Sequence, residues 1–443
     1  MTGLPNSQEE IMRTCRHCRW ALAALVLTGT SFVVPLRAAE SSGPKRAEVH
    51  VGIEEGDIRG SDHRALQAAV DYVAGLGGGT VFIEPGRYHM RNSLMLRDGV
   101  RVVGVPGKTI LVACDGFSTP LAADGDCNQR AITVADSSGF RIGDGVAIVD
   151  DRANGGFEVT TATVTAREGG NTFRLSRPLY VDYLVSRKAS ARLVFPIVGA
   201  WQVKNAAIEG LTIDGNRSKS LALDGCRGAG IYLFESAHVT ISRCDVQKCN
   251  GDGISFQVSR KIVVDGCLTH DNAGHGLHPG SGSQQPVLRH NRAVCNDQDG
   301  LFVCWRVQHG LFADNIIQSN KHSGISIGHK DSDNLFQGNR ITGNRSAGIS
   351  FRNETEPMGA HRNQFENNVI LDNGVGQAMA AIVIHGVHHD LVFRKNVIGF
   401  SGRSSRGTGI RVSTGAKRLK AEENDFRSVT TRVELIKDVE GRR

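Results

Sequence analysis

Acids, imidazoles, cations and a tryptophan recur at matching points between residues 230 and 390. Asp252, His275 and Asp299 each stand directly before a glycine, and His322 stands one residue earlier. Tyr232 and His278 lie two residues past such a glycine. Arg352 and His385 lie four past that position, and Trp305-Arg306, His329-Lys330 and Asn353-Glu354 follow just after. Carboxylates and imidazoles are the side chains that move protons at neutral pH. The guanidinium forks of Arg306 and Arg352 match a carboxylate, and the Trp305 indole offers a stacking face. Eleven of the sixteen histidines fall between His270 and His389. Imidazole is therefore concentrated, whereas a merely solvated face would carry Lys, Glu, Thr and Ser.

A repeat brings these residues together. Ile241-Ser-Arg-Cys244, Val264-Asp-Gly-Cys267, Leu288-Arg-His-Asn291, Phe312-Ala-Asp-Asn315 and Phe336-Gln-Gly-Asn339 end 23, 24, 24 and 24 residues apart. Five residues on come Cys249, Asn272, Asn296, Asn320 and Asn344. A glycine and an aliphatic residue follow, from Gly253-Ile254 to Gly348-Ile349. A period in the low twenties with short alternating apolar runs marks a solenoid. The Leu-x-x-Leu-x-Leu frame of a leucine-rich repeat is missing. An Asn once per turn suits stacked coils of parallel strand, each amide bonding the next coil. Alternate residues of such strands point outward, about 4.8 Å from their counterparts in the next coil. His278 is thus expected on an open face, and its removal is expected to cost no more than about 0.5 kcal/mol. Gly274, Gly276, Gly280 and Gly282 around it are expected to leave room for a close-fitting ligand.

This pattern resembles the right-handed parallel β-helix of the pectate-lyase-like superfamily over most of residues 60–415. The helix-forming run Ala65, Leu66, Ala69, Val70 and Val73 after Ser61-Asp62 resembles that superfamily's N-terminal cap, as do the glycines 77–79 and Pro85-Gly-Arg-Tyr88. The fold expected is all-β: a right-handed parallel β-helix with an N-terminal capping helix and an inserted antiparallel β excursion. Within it, Gly274-His-Gly276 with the nearby Gly282-Ser283, 23 residues after Asp252, is similar to polygalacturonase-type hydrolases. The paired acids of that family reduce here to Asp252, with Asp299 two coils away, about 9.6 Å by strand spacing. Gly276-Leu-His278-Pro-Gly280 resembles the Gly-aliphatic-Asp-Pro-His string of mannuronan epimerases and related alginate-acting β-helices. In this chain His278 stands where that string has its acid, and Gly280 where it has its histidine.

The resemblance implies an acidic-polysaccharide substrate and proton abstraction next to a uronate carboxylate, as in a lyase or epimerase. It places the chemistry on His278, His275, Asp299, Asp252, Arg306 and Lys330, with His278, His275 or Lys330 as base and Tyr232 as a proton donor. Trp305, His329, Arg352, Glu354, His322, His385 and Tyr232 are the substrate-binding candidates. Two other readings remain open: a polygalacturonase-type hydrolase using Asp252 and Asp299, and a non-catalytic glycan-binding β-helix.

The formal charge of +7 is compatible with an acidic polymer as partner. Arg13, Arg16 and Arg19 precede the apolar run Trp20–Leu27, and Ala38-Ala39 offers a cleavage point, so residues 1–39 read as an export signal. The mature chain is expected to be periplasmic or secreted and monomeric, with no membrane or nucleic-acid partner. Cys114 and Cys127 flank a Gly/Asp-rich loop and can pair in an oxidising compartment, whereas Cys244 and Cys267 read as buried apolar residues. Cys15 and Cys18 form a Cys-x-x-Cys pair only within the leader, so no metal or cofactor is expected. The boundaries read as 40–130 for cap helix and first coils, 131–200 for the excursion, 201–415 for the repeats and 416–443 for a C-terminal cap or tail.

Overall fold

The computed structural model describes residues 46–437, apart from 154–156, 375–378, 403 and 405. The expected export signal lies outside the described residues. Coils of about 24 residues each contribute three short strands. One coil runs through Val287–Arg289, Arg292–Val294 and Leu301–Phe302, and the next through Leu311–Ala313, Ile316–Gln318 and Ile325–Ile327. Equivalent strands pair in parallel from coil to coil, giving sheets of 13, 11 and 11 strands among the described residues. Register is strict: Leu288 pairs with Phe312 and Phe312 with Phe336. The side chain that points inward therefore meets its counterpart one coil on.

The interior shows why period and register hold. Phe312, Phe336, Phe365 and Phe393 are fully buried, and their rings stack at 4.6, 4.6 and 4.7 Å with planes 7–11° apart. Many corners are closed by a residue with positive φ followed by an inward-turned Asn, as at His290, Asp314, Asn367 and Lys395. A left-handed backbone costs a non-glycine residue about 1–2 kcal/mol. The amide that follows offsets this cost. Asn315 Nδ2 donates to Asn339 Oδ1 at 2.9 Å and to Leu288 O at 2.9 Å, and its Oδ1 accepts from Asn291 N–H at 3.0 Å. One such column runs from Asn291 to Asn424, and a second from Asn272 to Asn373.

The helix His63–Gly75 is capped by Asp62, which accepts from Arg64 N–H at 2.9 Å. Its buried face (Leu66, Ala69, Val70, Val73) packs over the first coil's strands Ala47–Gly52 and Gly79–Ile83. The parallel stack extends further at its end than the repeat indicates. Lys420–Glu422, Asp425–Arg427 and Thr431–Ile436 add one more, mostly exposed coil where a cap or tail is expected, because Asn424 continues the first column.

The excursion is a six-stranded antiparallel sheet that opens at Ser118–Pro120 and closes at Ser190–Leu193. It has its own core around Ile132, Phe140, Ile148, Phe173 and Tyr183. A bidentate ion pair from Arg91 Nε and Nη2 to the buried Asp144, at 2.8 and 2.7 Å, ties it to the early coils. Its other face packs Val149, Val159 and Val194 against Leu223, in the loop before strand Ala229–Phe234. Cys114 and Cys127 are free thiols in the structure.

Candidate active-site cleft

The antiparallel sheet and the 222–226 loop roof the face on which the outward side chains of the third sheet stand. Between roof and coils lies a cleft of about 640 Å³, lined by Val149, Phe157, Val159 and Arg192 above and by Asp252, His275, His278, Phe302, Cys304, Trp305 and His329 below. The floor follows strand register. Ser255 pairs with His278, Phe302 with Ser326, and Gly280 bridges to Cys304. A second recess of about 510 Å³ shares Phe157, Val159, Cys226 and Ser281 with the first, so the two adjoin. Arg177, Arg227, Arg306, Tyr180 and Trp201 also line it.

His278 does not stand on an open face. It is 3% exposed, and its Nδ1 lies 2.7 Å from Oδ2 of Asp252, itself 4% exposed. Burial alone depresses an imidazole, but the bond and charge of Asp252 and the nearby Cys304 push His278 up to about 10. Burial likewise opposes ionisation of Asp252, yet His275 and His278 hold it below the usual carboxylate range. The glycines around this pair make room for protein rather than ligand. A Cβ on Gly225 or Gly274 would overlap the Asp252 carboxylate, one on Gly276 the Asn296 amide, and one on Gly280 the Gln257 amide. Only Gly282 of the four expected to clear space does so, at φ +80 with Arg306 Nε 3.9 Å from such a Cβ.

His275 stacks on Phe302 at 4.1 Å, with planes 4° apart. Its Nδ1 accepts from Asp299 N–H at 3.2 Å, and burial pushes its pKa down. The neutral ring thus carries its proton on Nε2 and acts as a donor rather than a base. Asp299 is buried and also takes His322 Nδ1 at 2.6 Å and Ser323 N–H at 2.8 Å. Arg352 lies over Phe302 at 4.8 Å and is engaged from below, donating to Ser326 Oγ, Val303 O and the buried Asp331. Burial raises Asp331 to about 7 against the pull of Arg352. Glu354 Oε1 lies 2.9 Å from His329 Nε2. Contacts with Cys304 and Glu354 raise His329 to about 9.

Trp305 is half-buried, 6.3 Å from Phe157 on the roof and 5.0 Å from His329. Arg306 is exposed beside it and faces the second recess. Tyr232 is buried, its hydroxyl donates to Cys226 O at 2.8 Å, and burial pushes its pKa up. Lys330 and His385 are not among the residues lining either recess. Glu356, His361 and His389 have ligand atoms close enough for an ion but lie outside the cleft. His361 Nδ1 accepts from His389 N–H at 3.0 Å, so in the neutral ring the Nε2 facing Glu356 carries the proton. That arrangement suits a hydrogen-bonded pair better than a metal ligand.

Sequence reasoning passed over Cys304, Gln257, Arg177 and Arg227. Cys304 occupies the same outward column as Gln257, a position readable from the repeat. The Arg177 and Arg227 positions depend on how the excursion and the 222–228 loop fold back, which the repeat does not encode.

Residues 198–332 and 304–426 match the family model of the right handed beta helix region, and the chain belongs to that family. A stretch of 69 residues, 14% of this chain, is 39% identical to mannuronan C5-epimerase AlgE3 of Azotobacter vinelandii and covers 4% of that protein's length. Among solved structures, the A-module of the Azotobacter vinelandii mannuronan C-5 epimerase AlgE4 is similar with TM-score 0.53 at 19% identity. The match covers 87% of this chain and 98% of that one. The AlgE6 A-module of the same organism gives 0.56 at 17%, covering 85% and 92%. At these identities the structural likeness is one of fold.

Proposed function

We propose that this β-helix acts on an acidic polysaccharide, removing the proton next to a uronate carboxylate as an epimerase or a lyase does. The observation that carries the reading is the roofed cleft with its Asp252–His278 pair, beside an adjoining recess lined by Arg177, Arg227 and Arg306. Guanidinium groups suit the carboxylates of successive sugars, and Trp305, Trp201 and Tyr180 offer faces for their rings. A carbanion next to a carboxylate needs a base with its pKa tuned by neighbours and cations to hold the developing charge. The 69-residue match to an epimerase of mannuronan favours a uronan among acidic polymers. Hydrolysis fits less well, because both carboxyls it would use are already bonded, Asp252 to His278 and the His275 N–H and Asp299 to His322 and the Ser323 N–H, and Asp299 does not line the cleft. Export to the periplasm or medium, where such polymers occur, is part of this reading.

The test is incubation with a panel of acidic polysaccharides. Ultraviolet absorbance from an unsaturated uronate identifies a lyase, and a changed C5 configuration by proton NMR without chain cleavage identifies an epimerase. New reducing ends with neither signal would overturn the reading in favour of hydrolysis. Binding without turnover would reduce the protein to a glycan-binding module.

A further inference from the structure

The second recess is lined by three arginines and by no acidic residue. Arg177 comes from the antiparallel excursion, just after its strand Thr172–Leu175, and its guanidinium lies 4.4 Å from the Trp201 ring. Arg227 comes from the loop beside Asp252. Its Nη2 donates to Phe157 O at 3.1 Å, and it lies 5.4 Å from the Tyr180 ring. Among the described residues neither these two nor Arg306 has a carboxylate partner, whereas Arg152 and Arg187, also on the excursion, share Asp150. Arg177 is half-buried, and burial pushes its pKa down. Taking a cation out of water without a counter-charge is costly, and the Trp201 face offsets only part of that cost. Two more polar groups of the lining have no hydrogen-bond partner: Arg227 Nε and Oε1 of Gln257, a residue 1% exposed. The recess thus holds positive charge for which the protein supplies no counter-ion.

Strand register sets how far this charge lies from the Asp252–His278 pair. Trp201 pairs with Phe234, Phe234 with Gln257, and Gln257 with Gly280 on the strand that carries His278. Three coil steps therefore separate Trp201 from that strand, about 14 Å by strand spacing, which is farther than one pyranose ring spans. We infer that Arg177 on its Trp201 platform, with Arg227 in the same recess, receives the carboxylate of a second sugar, further along the chain than the one that loses its proton. The inference rests on the uronate reading above. The protein is then selective for runs of free uronates, and the excursion is the element that confers the selectivity. A guanidinium takes both oxygens of a carboxylate, whereas a methyl ester or a primary alcohol at that carbon leaves it without a counter-charge. Arg177 takes no part in proton removal. It holds the polymer along the solenoid axis, so that another sugar of the same chain is positioned in the cleft.

The chain has three tryptophans, Trp20, Trp201 and Trp305. Trp201 lines this recess and Trp305 the cleft, so single substitutions assign a fluorescence change to one or the other. The test is titration of the full chain with uronate hexamers, each beside its carboxyl-reduced counterpart, in the Trp305→Phe and Trp201→Phe variants. A uronate hexamer should shift the emission of Trp305→Phe, in which Trp201 remains as reporter, and the reduced hexamer should not. Arg177→Gln should weaken hexamer binding at least about tenfold. Arg177→Lys should recover only part of the loss, because a point charge does not replace the planar fork. Both variants should keep the wild-type circular dichroism spectrum. Once a uronan is found to be altered, Arg177→Gln should raise KM about tenfold while kcat changes less than about threefold. Equal binding of the reduced hexamer, wild-type affinity in Arg177→Gln, or a fluorescence change confined to Trp305 overturns the inference and leaves the uronate reading standing. A fall in kcat at unchanged KM would also overturn it, by placing Arg177 in the chemistry. Binding of a sulfated neutral glycan through Arg177, with no uronate hexamer bound, would overturn the uronate reading and this inference with it.

Discussion

Replacing His278 with alanine tests the buried pair on which the cleft is organised. Sequence alone gives an exposed side chain and a loss near 0.5 kcal/mol. The structure gives an imidazole 3% exposed, whose loss leaves Oδ2 of Asp252 without its partner while Oδ1 keeps only the His275 N–H, at 2.8 Å. Removing one member of a buried ion pair costs about 3–5 kcal/mol. A rise of the imidazole from 6.5 to about 10 corresponds to about 5 kcal/mol of coupling, shared between Asp252 and Cys304. The two estimates agree in scale. A raised imidazole pKa stabilises the fold fully below about 6.5, and that contribution disappears as pH rises through 10. The lowered Asp252 pKa adds stability above about 4, lost as pH falls through its folded value. The difference between wild type and His278→Ala should therefore be largest between about pH 4 and 6.5 and shrink toward pH 10. Urea unfolding at several pH values measures it, with hydrogen exchange of residues 252–280 as the local readout. A loss under about 1 kcal/mol at pH 6, or one that does not shrink in alkali, would refute the buried-pair account.

Other variants probe the scaffold. Asn315→Ala removes the bonds to Asn291, Leu288 and Asn339. It should cost about 2–4 kcal/mol, with exchange protection falling first in residues 288–340. Gly225→Ala forces a methyl onto the Asp252 carboxylate and should destabilise the pair by about 1–3 kcal/mol, visible as a lowered urea midpoint. Arg352→Ala strips Asp331 of its cation. The loss, about 3 kcal/mol, should be larger at pH 8 than at pH 5, where protonation relieves the buried carboxyl.

The repeat made the coil legible because its causes are local. The turn residue before each Asn, the Asn itself and the Gly-aliphatic pair recur in the text of the chain, and they fix the register that places Ser255 beside His278. What lies over that register was not legible. The excursion was visible as alternating strands from 131 on, but Ser118–Pro120 is too short to stand out, and its pairing with Ser190–Leu193 joins residues about 70 apart. Nothing in the repeat says that this sheet folds back to line a cleft with the third strand of each coil, or that the loop at Gly225 closes over His278 and Asp252. The glycines were misread for a nearer reason: the groups that fill their space, Asp252 at Gly274 and Gln257 at Gly280, belong to the preceding coil, and the repeat gives their column but not where their side chains turn. Cys304 was legible as an outward position, four past the glycine like Gln257 and Arg352, but nothing in the repeat says that this part of the face lines a roofed cleft.

The asparagine columns have a direction. Each amide passes its hydrogen toward the C-terminal neighbour, so every coil leans on the one after it, and Asn424 has no ladder asparagine beyond it among the described residues. Fraying should therefore start at the exposed coil of Lys420–Ile436 and travel inward one coil at a time. The cleft is floored by residues 252–329. After the strand Ile349–Glu354, which braces its far end, come Ala380–Gly386, Thr408–Ser413 and Thr431–Ile436. Those last three turns act as sacrificial padding, letting the molecule wear at its tip while the chemistry upstream keeps its shape.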